Sequence, residues 1–111
     1  MTIPNEQPIS ELYRLAALAW ADADEAASLL EETKSAVFSQ MVLRLLASDP
    51  KKAMNRAEAE VKASLQWSEL IKTMVKSRGS ANRLRVDVDV LRMRAMEYQS
   101  QEATKRAEMK L

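Results

Sequence analysis

The sequence predicts an all-α protein, a long antiparallel helical hairpin similar to a coiled coil. The first observation is that its 111 residues include one glycine and three prolines, which leaves few positions where the chain could turn. The second is that Ala, Glu, Lys, Leu, Arg and Met are abundant, and all of them favour helices. The third is that small and apolar residues recur at steps of three and four along the first half, the spacing of a helix face. At this length we expect a single helical domain, residues 1–111.

The first helix is predicted over residues 10–47, after an arm formed by residues 1–9. Ser10 is a suitable N-cap, and Glu11 follows it in the first turn, where a negative charge is favourable. One stripe of small and apolar residues then continues for roughly ten turns. Its members are Leu12, Ala16, Ala19, Ala23, Ala26, Leu30, Thr33, Val37, Met41 and Leu45. The alanines on this stripe would let a second helix approach closely.

The chain is predicted to reverse at Ser48-Asp49-Pro50. Proline suits the first position of a helix, with Asp49 as its N-cap, so the second helix is predicted over residues 50–77. An antiparallel hairpin with this turn places position 20 opposite about position 78, and position 67 opposite about position 31, so that Trp20 and Trp67 do not meet. It also packs three residues of the first helix, Leu30, Val37 and Met41, against three of the second, Val61, Leu65 and Met54.

The last segment, residues 81–110, is a continuation of the second helix or a third helix. Gly79 could end the second helix, or it could lie inside a continuous helix at a cost of about 1 kcal/mol. The alternation of apolar and charged residues over 84–90 fits a strand, but the same residues also fit a helical stripe. We favour the helix because no second strand is available to pair with the first.

The composition argues against an enzyme. The chain has neither cysteine nor histidine, which removes disulfides, thiolate nucleophiles, zinc–thiolate sites and the commonest general base. Its carboxylate clusters lie where a solvated helix face is expected, and no glycine-rich phosphate loop is present. We therefore expect no cofactor, no metal site and no small-molecule substrate. The polar N-terminus and the lack of an apolar run of about 20 residues predict a cytoplasmic protein with no membrane contact.

Charge is distributed unevenly along the chain. Residues 1–50 carry three basic and eight acidic side chains, whereas residues 72–111 carry ten basic and five acidic ones. This asymmetry fits attraction between two antiparallel helices, and it also fits a basic surface that contacts an anionic partner. The candidate binding residues for nucleic acid or another partner are Lys76, Arg78, Arg83, Arg85, Arg92 and Arg94. A nucleic-acid surface would expose them as one patch, and a structural role would bury them in ion pairs with the first helix.

Self-association is expected from the apolar stripe that continues beyond Gly79, from Leu84 to Tyr98. The first helix is predicted to be too short to cover this stripe. Exposed apolar stripes mark interfaces, and thin helical structures bury little surface by themselves. We therefore expect a homo-oligomer.

The second half resembles small all-helical proteins of tailed bacteriophages and prophages. The resemblance is carried by the run Arg83-Leu84-Arg85-Val86-Asp87-Val88-Asp89-Val90-Leu91-Arg92-Met93-Arg94, by Tyr98-Gln99-Ser100 and by Ala103-Thr104-Lys105-Arg106-Ala107-Glu108-Met109. Those proteins have an Ala-rich first helix, and they commonly carry an aromatic residue, often Trp, near the position that Tyr98 occupies here. Their genes often lie near phage recombination or single-strand annealing genes.

The resemblance implies a protein of the bacterial host cytoplasm that accompanies phage DNA metabolism. The function we expect is that of a non-enzymatic phage accessory protein, which binds a protein or nucleic acid through its basic C-terminal half. The partners implied are single-stranded nucleic acid or a phage or host protein of DNA metabolism. The alternative is a structural coiled-coil oligomer, or an inhibitor of a host protein, with no nucleic-acid contact.

Overall fold

A computed structural model describes residues 8–110 and confirms an all-α helical hairpin. Its helices are α1 (Ile9–Ser48), α2 (Met54–Lys62) and α3 (Leu65–Met109), and α1 runs antiparallel to the segments that follow the turn. Over residues 8–110 there is no strand, and the alternating segment 84–90 is helical. The helical alternative for this segment is therefore confirmed.

The first helix begins at Ile9, one residue earlier than predicted, and its first hydrogen bonds go to Pro8. The Pro8 carbonyl accepts from the backbone N–H groups of Glu11 and Leu12 at 3.0 and 3.1 Å. Ser10 thus lies inside the first turn, and its assignment as the N-cap is wrong. The predicted arm falls outside the described residues as far as residue 7, and Ile9 at its end belongs to α1.

The second helix begins later than predicted because Asp49 forms a turn. The backbone N–H of Lys51 donates to Asp49 Oδ1 at 3.3 Å, and the N–H of Lys52 donates to the Asp49 carbonyl at 3.1 Å. An aspartate that bonds the backbone two residues ahead stabilises a turn. Helix α2 starts only at Met54, after Ala53, which makes no side-chain cap bond. The assignment of Asp49 as the cap of a helix starting at Pro50 is therefore wrong.

The predicted helix 50–77 is in fact interrupted at Ser64. The Ser64 hydroxyl donates to the Val61 carbonyl at 2.6 Å and accepts from the Trp67 N–H at 3.2 Å. Serine is a preferred N-cap, so Ser64 starts α3 while α2 ends at Lys62. Gly79 lies within α3, and no described glycine has a positive φ angle.

The chain forms two compact units, which we call the turn unit (residues 24–79) and the terminal unit (residues 8–23 with 80–110). The turn unit holds the larger core. Its buried residues include Val42, Ala57 and Val61, and the half-buried hydrophobic residues packed against them are Phe38, Met41, Leu45, Leu46 and Trp67. The rings of Phe38 and Trp67 lie 5.1 Å apart, centroid to centroid, at 59°.

Two of the residues expected in this core are exposed. Val61 and Met41 belong to the core, but Leu65 is 73% exposed and Met54 53% exposed. For Leu65 the prediction fails because one continuous stripe cannot be drawn through the break at Ser64, whereas Met54 is the first residue of α2. The Trp67 ring lies against Phe38 and 5.9 Å from Lys34 Nζ, one to two turns beyond the predicted position 31, since residues 49–53 are used in the turn and shift the pairing.

In the terminal unit the helices bury little. Its buried hydrophobic residues are Ala81 and Val88. Trp20 of α1 is half-buried, and the guanidinium carbon of Arg85 lies 5.9 Å from its ring centroid. The partner of Trp20 is therefore seven residues further along the chain than the predicted position 78.

The inner face of α1 differs from the predicted stripe at alternate turns. Ala16, Ala23 and Leu30 are half-buried, but Ala19 and Ala26 are exposed. Their neighbours Trp20 and Ala27 face inward instead, with Ala27 fully buried. The inward positions 16, 20, 23, 27 and 30 alternate in steps of four and three, as in a coiled-coil seam.

Candidate interaction surfaces

The six predicted binding residues all lie on α3, and the structure separates them within each unit. In the turn unit Lys76 is exposed and Arg78 is half-buried. Two residues correspond to about 200° around a helix, so these side chains leave α3 on different sides. In the terminal unit Arg83 and Arg94 share one side of α3, and Arg85 and Arg92 share the other. Neither unit gathers its members into one basic patch.

Arg78 binds the acidic first helix. Its Nε and Nη2 donate to the two carboxylate oxygens of Glu31 at 2.9 and 2.7 Å. Its Nη1 donates to Asp24 Oδ1 at 2.6 Å, and Nη2 also donates to the Ser28 hydroxyl at 3.3 Å. Bidentate arginine–carboxylate pairs are both strong and geometrically specific. For Arg78 the structural alternative, an ion pair with the first helix, is the one observed.

The hydrogen bonds of this cluster shift the pKa values of Glu31 and Arg78. Hydrogen bonds from Arg78 lower the pKa of Glu31, and the hydrogen bonds to Glu31 and Asp24 raise the pKa of Arg78. Arginine is protonated in either case at ordinary pH. Because the pKa of Glu31 is lower in the folded state, its contribution to stability is complete above its ordinary value of 4.5 and is lost as the pH falls through the folded-state value.

We expect Arg78→Met to lower the melting temperature at pH 7, because it leaves Asp24 and Glu31 near each other without their cation. The difference from the wild type should shrink on acidification from pH 7 to pH 2, as the pH falls toward and through the lowered folded-state pKa of Glu31. Thermal unfolding followed by circular dichroism at both pH values measures this. Arg83→Met is the matched control, since Arg83 is exposed and makes no ion pair with a described residue. An equal loss in both variants would contradict a specific role for Arg78.

A groove lies between α1 and α3 in the terminal unit. Its volume is about 560 Å³, and it is lined by Leu15, Ala16, Leu84, Asp87, Val90, Leu91 and Arg94. Asp87 and Arg94 are exposed, and neither forms an ion pair with another described residue. On the other side of α3, Arg92 lies 3.6 Å from Asp89, and Arg85 contacts Trp20. The groove therefore has an apolar floor and two unneutralised charges of opposite sign.

Large apolar side chains are exposed on both helices of the terminal unit. Leu15 and Leu18 of α1 are 44% and 51% exposed, and Val86 and Met93 of α3 are both 59% exposed. The expectation that the first helix leaves the stripe from Leu84 to Tyr98 uncovered is wrong for most of it, because Val88 is buried and Leu84 and Leu91 are half-buried. The exposed residues of α3 lie beside that stripe, at Val86, Val90 and Met93, and at its end, at Tyr98. Leu15 and Leu18 were not predicted as part of an exposed surface, although their three-residue spacing is a helical one.

The turn unit has a groove of its own beside the break at Ser64. Its volume is about 530 Å³, and its residues are Val37, Met41, Arg44, Leu45, Glu60, Val61, Ser64, Gln66 and Leu70. Its charged residues are Arg44 and Glu60, one basic and one acidic. This surface was not anticipated, because it depends on how α2 and α3 separate.

Among residues 8–110 there is no cluster of three acidic side chains placed to hold a metal ion. No helix in this range is both long enough and apolar enough to span a membrane. No protein-family model, curated protein or solved structure matches the chain.

Proposed function

We propose that this protein is a non-enzymatic helical interaction protein that self-associates through its terminal unit. The observation that carries the proposal is the contrast within that unit. Leu12, Leu15 and Leu18 of α1, together with Val86, Val90 and Met93 of α3, are each at least 36% exposed, while the buried hydrophobic residues are Ala81 and Val88. Exposed apolar surface of this kind marks protein interfaces.

The basic residues favour this role over a nucleic-acid surface. Arg78 is engaged by Asp24 and Glu31, and Arg85 and Arg92 leave α3 on the side opposite Arg83 and Arg94. A surface that binds the phosphates of a nucleic acid needs clustered positive charge. Here the basic residues are divided between two sides of α3. The phage setting implied by the C-terminal run remains the proposed context, with the oligomer acting as a scaffold or as an inhibitor of a host protein.

Sequence-independent nucleic-acid binding is the second candidate. Arg83 and Arg94 favour it, because both are exposed on the same side of α3 without an ion pair among the described residues. Single-stranded nucleic acid is the form suggested by the implied genetic neighbourhood. Binding of this kind weakens steeply with salt because each neutralised phosphate releases counterions.

Sedimentation equilibrium at tens of micromolar tests the self-association. We expect a mass well above the 12.5 kDa of one chain, decreasing on dilution. A 12.5 kDa species at every concentration would remove the proposal. Labelled single-stranded DNA added at low salt tests the second candidate, for which Arg83→Glu and Arg94→Glu should each reduce the salt slope by roughly one.

A further inference from the structure

We propose that the groove of the terminal unit binds a second copy of this chain in a two-fold arrangement, with Asp87 of each copy facing Arg94 of the other. This inference rests on the proposed self-association and specifies its geometry. In this arrangement Asp87 and Arg94, the two charged residues of the groove that form no ion pair with a described residue, determine which partner binds.

Asp87 and Arg94 cannot neutralise each other within one helix. Seven residues separate them, which corresponds to about 10.5 Å along the helix axis and about 20° around it. Both line the same groove and both are exposed. Two opposite charges therefore lie on one side of α3, two turns apart, and each is available to a charge outside its own helix.

This spacing is self-complementary under a two-fold axis. In a two-fold interface, residue i of one copy contacts residue j of the other, and j contacts i in return. The midpoint between positions 87 and 94 falls between Val90 and Leu91, which also line the groove. Two α3 helices crossing antiparallel about that midpoint would pair both charges and bring apolar side chains together at the axis.

A parallel arrangement would instead place Asp87 against Asp87 and Arg94 against Arg94. Like charges facing each other across an interface are costly, so the charge pattern favours the antiparallel form. The unit as a whole does not repel a copy, because its described residues carry seven acidic and eight basic side chains. A polyanion would fit this groove less well than a second copy, because the carboxylate of Asp87 would repel it.

The interface has apolar side chains available beside the charges. Leu15 is 44% exposed and Val90 is 42% exposed, both on the groove. In a two-fold dimer each of them is contributed twice, so a small patch on one chain becomes a four-helix contact. The charge pair then fixes the register of a contact whose stability comes from apolar burial.

Charge reversal tests this geometry. We expect Arg94→Asp and Asp87→Arg each to raise the dimer dissociation constant by about tenfold or more, which corresponds to about 1.4 kcal/mol. The double variant carrying both changes should return close to the wild-type constant, because the charges are exchanged and the pairing is restored. Sedimentation equilibrium gives the constants, and far-ultraviolet circular dichroism verifies that each variant remains helical.

Arg92→Asp is the matched control, because it makes the same charge change two residues away on the other side of α3 and should leave the constant nearly unchanged. Single reversals without effect, or a double variant as weak as the singles, would overturn the two-fold pairing while leaving self-association intact. A wild type that is monomeric at every concentration would overturn the pairing and the proposed function together.

Discussion

Val61→Asp is expected to unfold the turn unit or to lower its free energy of unfolding by about 3–5 kcal/mol, the cost of an uncompensated buried charge. Val61 is 2% exposed and belongs to the core with Val42 and Ala57. The residues packed around Val61 in that core are apolar, so a carboxylate at position 61 would replace apolar contacts. Because whole domains are stable by only about 5–15 kcal/mol, such a loss should be plain in urea unfolding followed by circular dichroism.

Leu65→Asp is the matched control for this substitution. It also replaces an aliphatic side chain with a carboxylate, four residues further along the chain, but Leu65 is 73% exposed. Surface substitutions of this type usually change stability by about 0.5 kcal/mol or less. Equal losses in the two variants would contradict the break at Ser64 and favour the single continuous helix that the sequence predicted.

Ala27→Leu has the second largest expected effect, a destabilisation of about 1–3 kcal/mol caused by overpacking. Ala27 is fully buried on the inner face of α1. A leucine there would have to displace the facing helix, because no space remains around the alanine methyl group. Thermal unfolding of the variant should show a lower midpoint with helix content nearly unchanged at low temperature.

Ala26→Leu is the control, since Ala26 is the neighbouring residue on the same helix and is exposed. Alanine and leucine both have high helix propensity, so the two variants differ mainly in packing. We expect Ala26→Leu to leave the midpoint nearly unchanged. A larger loss at position 26 than at position 27 would restore the inner stripe drawn from the sequence and contradict the observed one.

The candidate site was only partly predictable. The sequence identified the basic residues of α3 and the two roles open to them, ion pairs with the first helix or contact with an anionic partner. It could not assign either role, because the role of an arginine depends on which residues of α1 face it. Arg78 faces Asp24 and Glu31, whereas Arg83 and Arg94 face no carboxylate that binds them among the described residues. The groove at Asp87 and Arg94 depends on the same pairing.

The sequence by itself determined that the protein is all-α, that α1 covers about residues 10–47, and that residues 84–90 are helical. These features follow from local chemistry, since glycine and proline are scarce and the apolar spacing is helical over long windows. Only the tertiary structure decided the break at Ser64, the partners of the two tryptophans and the inward position of Ala27. The physical reason is that a helix has 3.6 residues per turn, so a stripe drawn on the sequence can advance by three or by four residues at each turn. Either Ala26 or Ala27 can therefore continue the stripe that passes through Ala23. Packing against the facing helix selects between them.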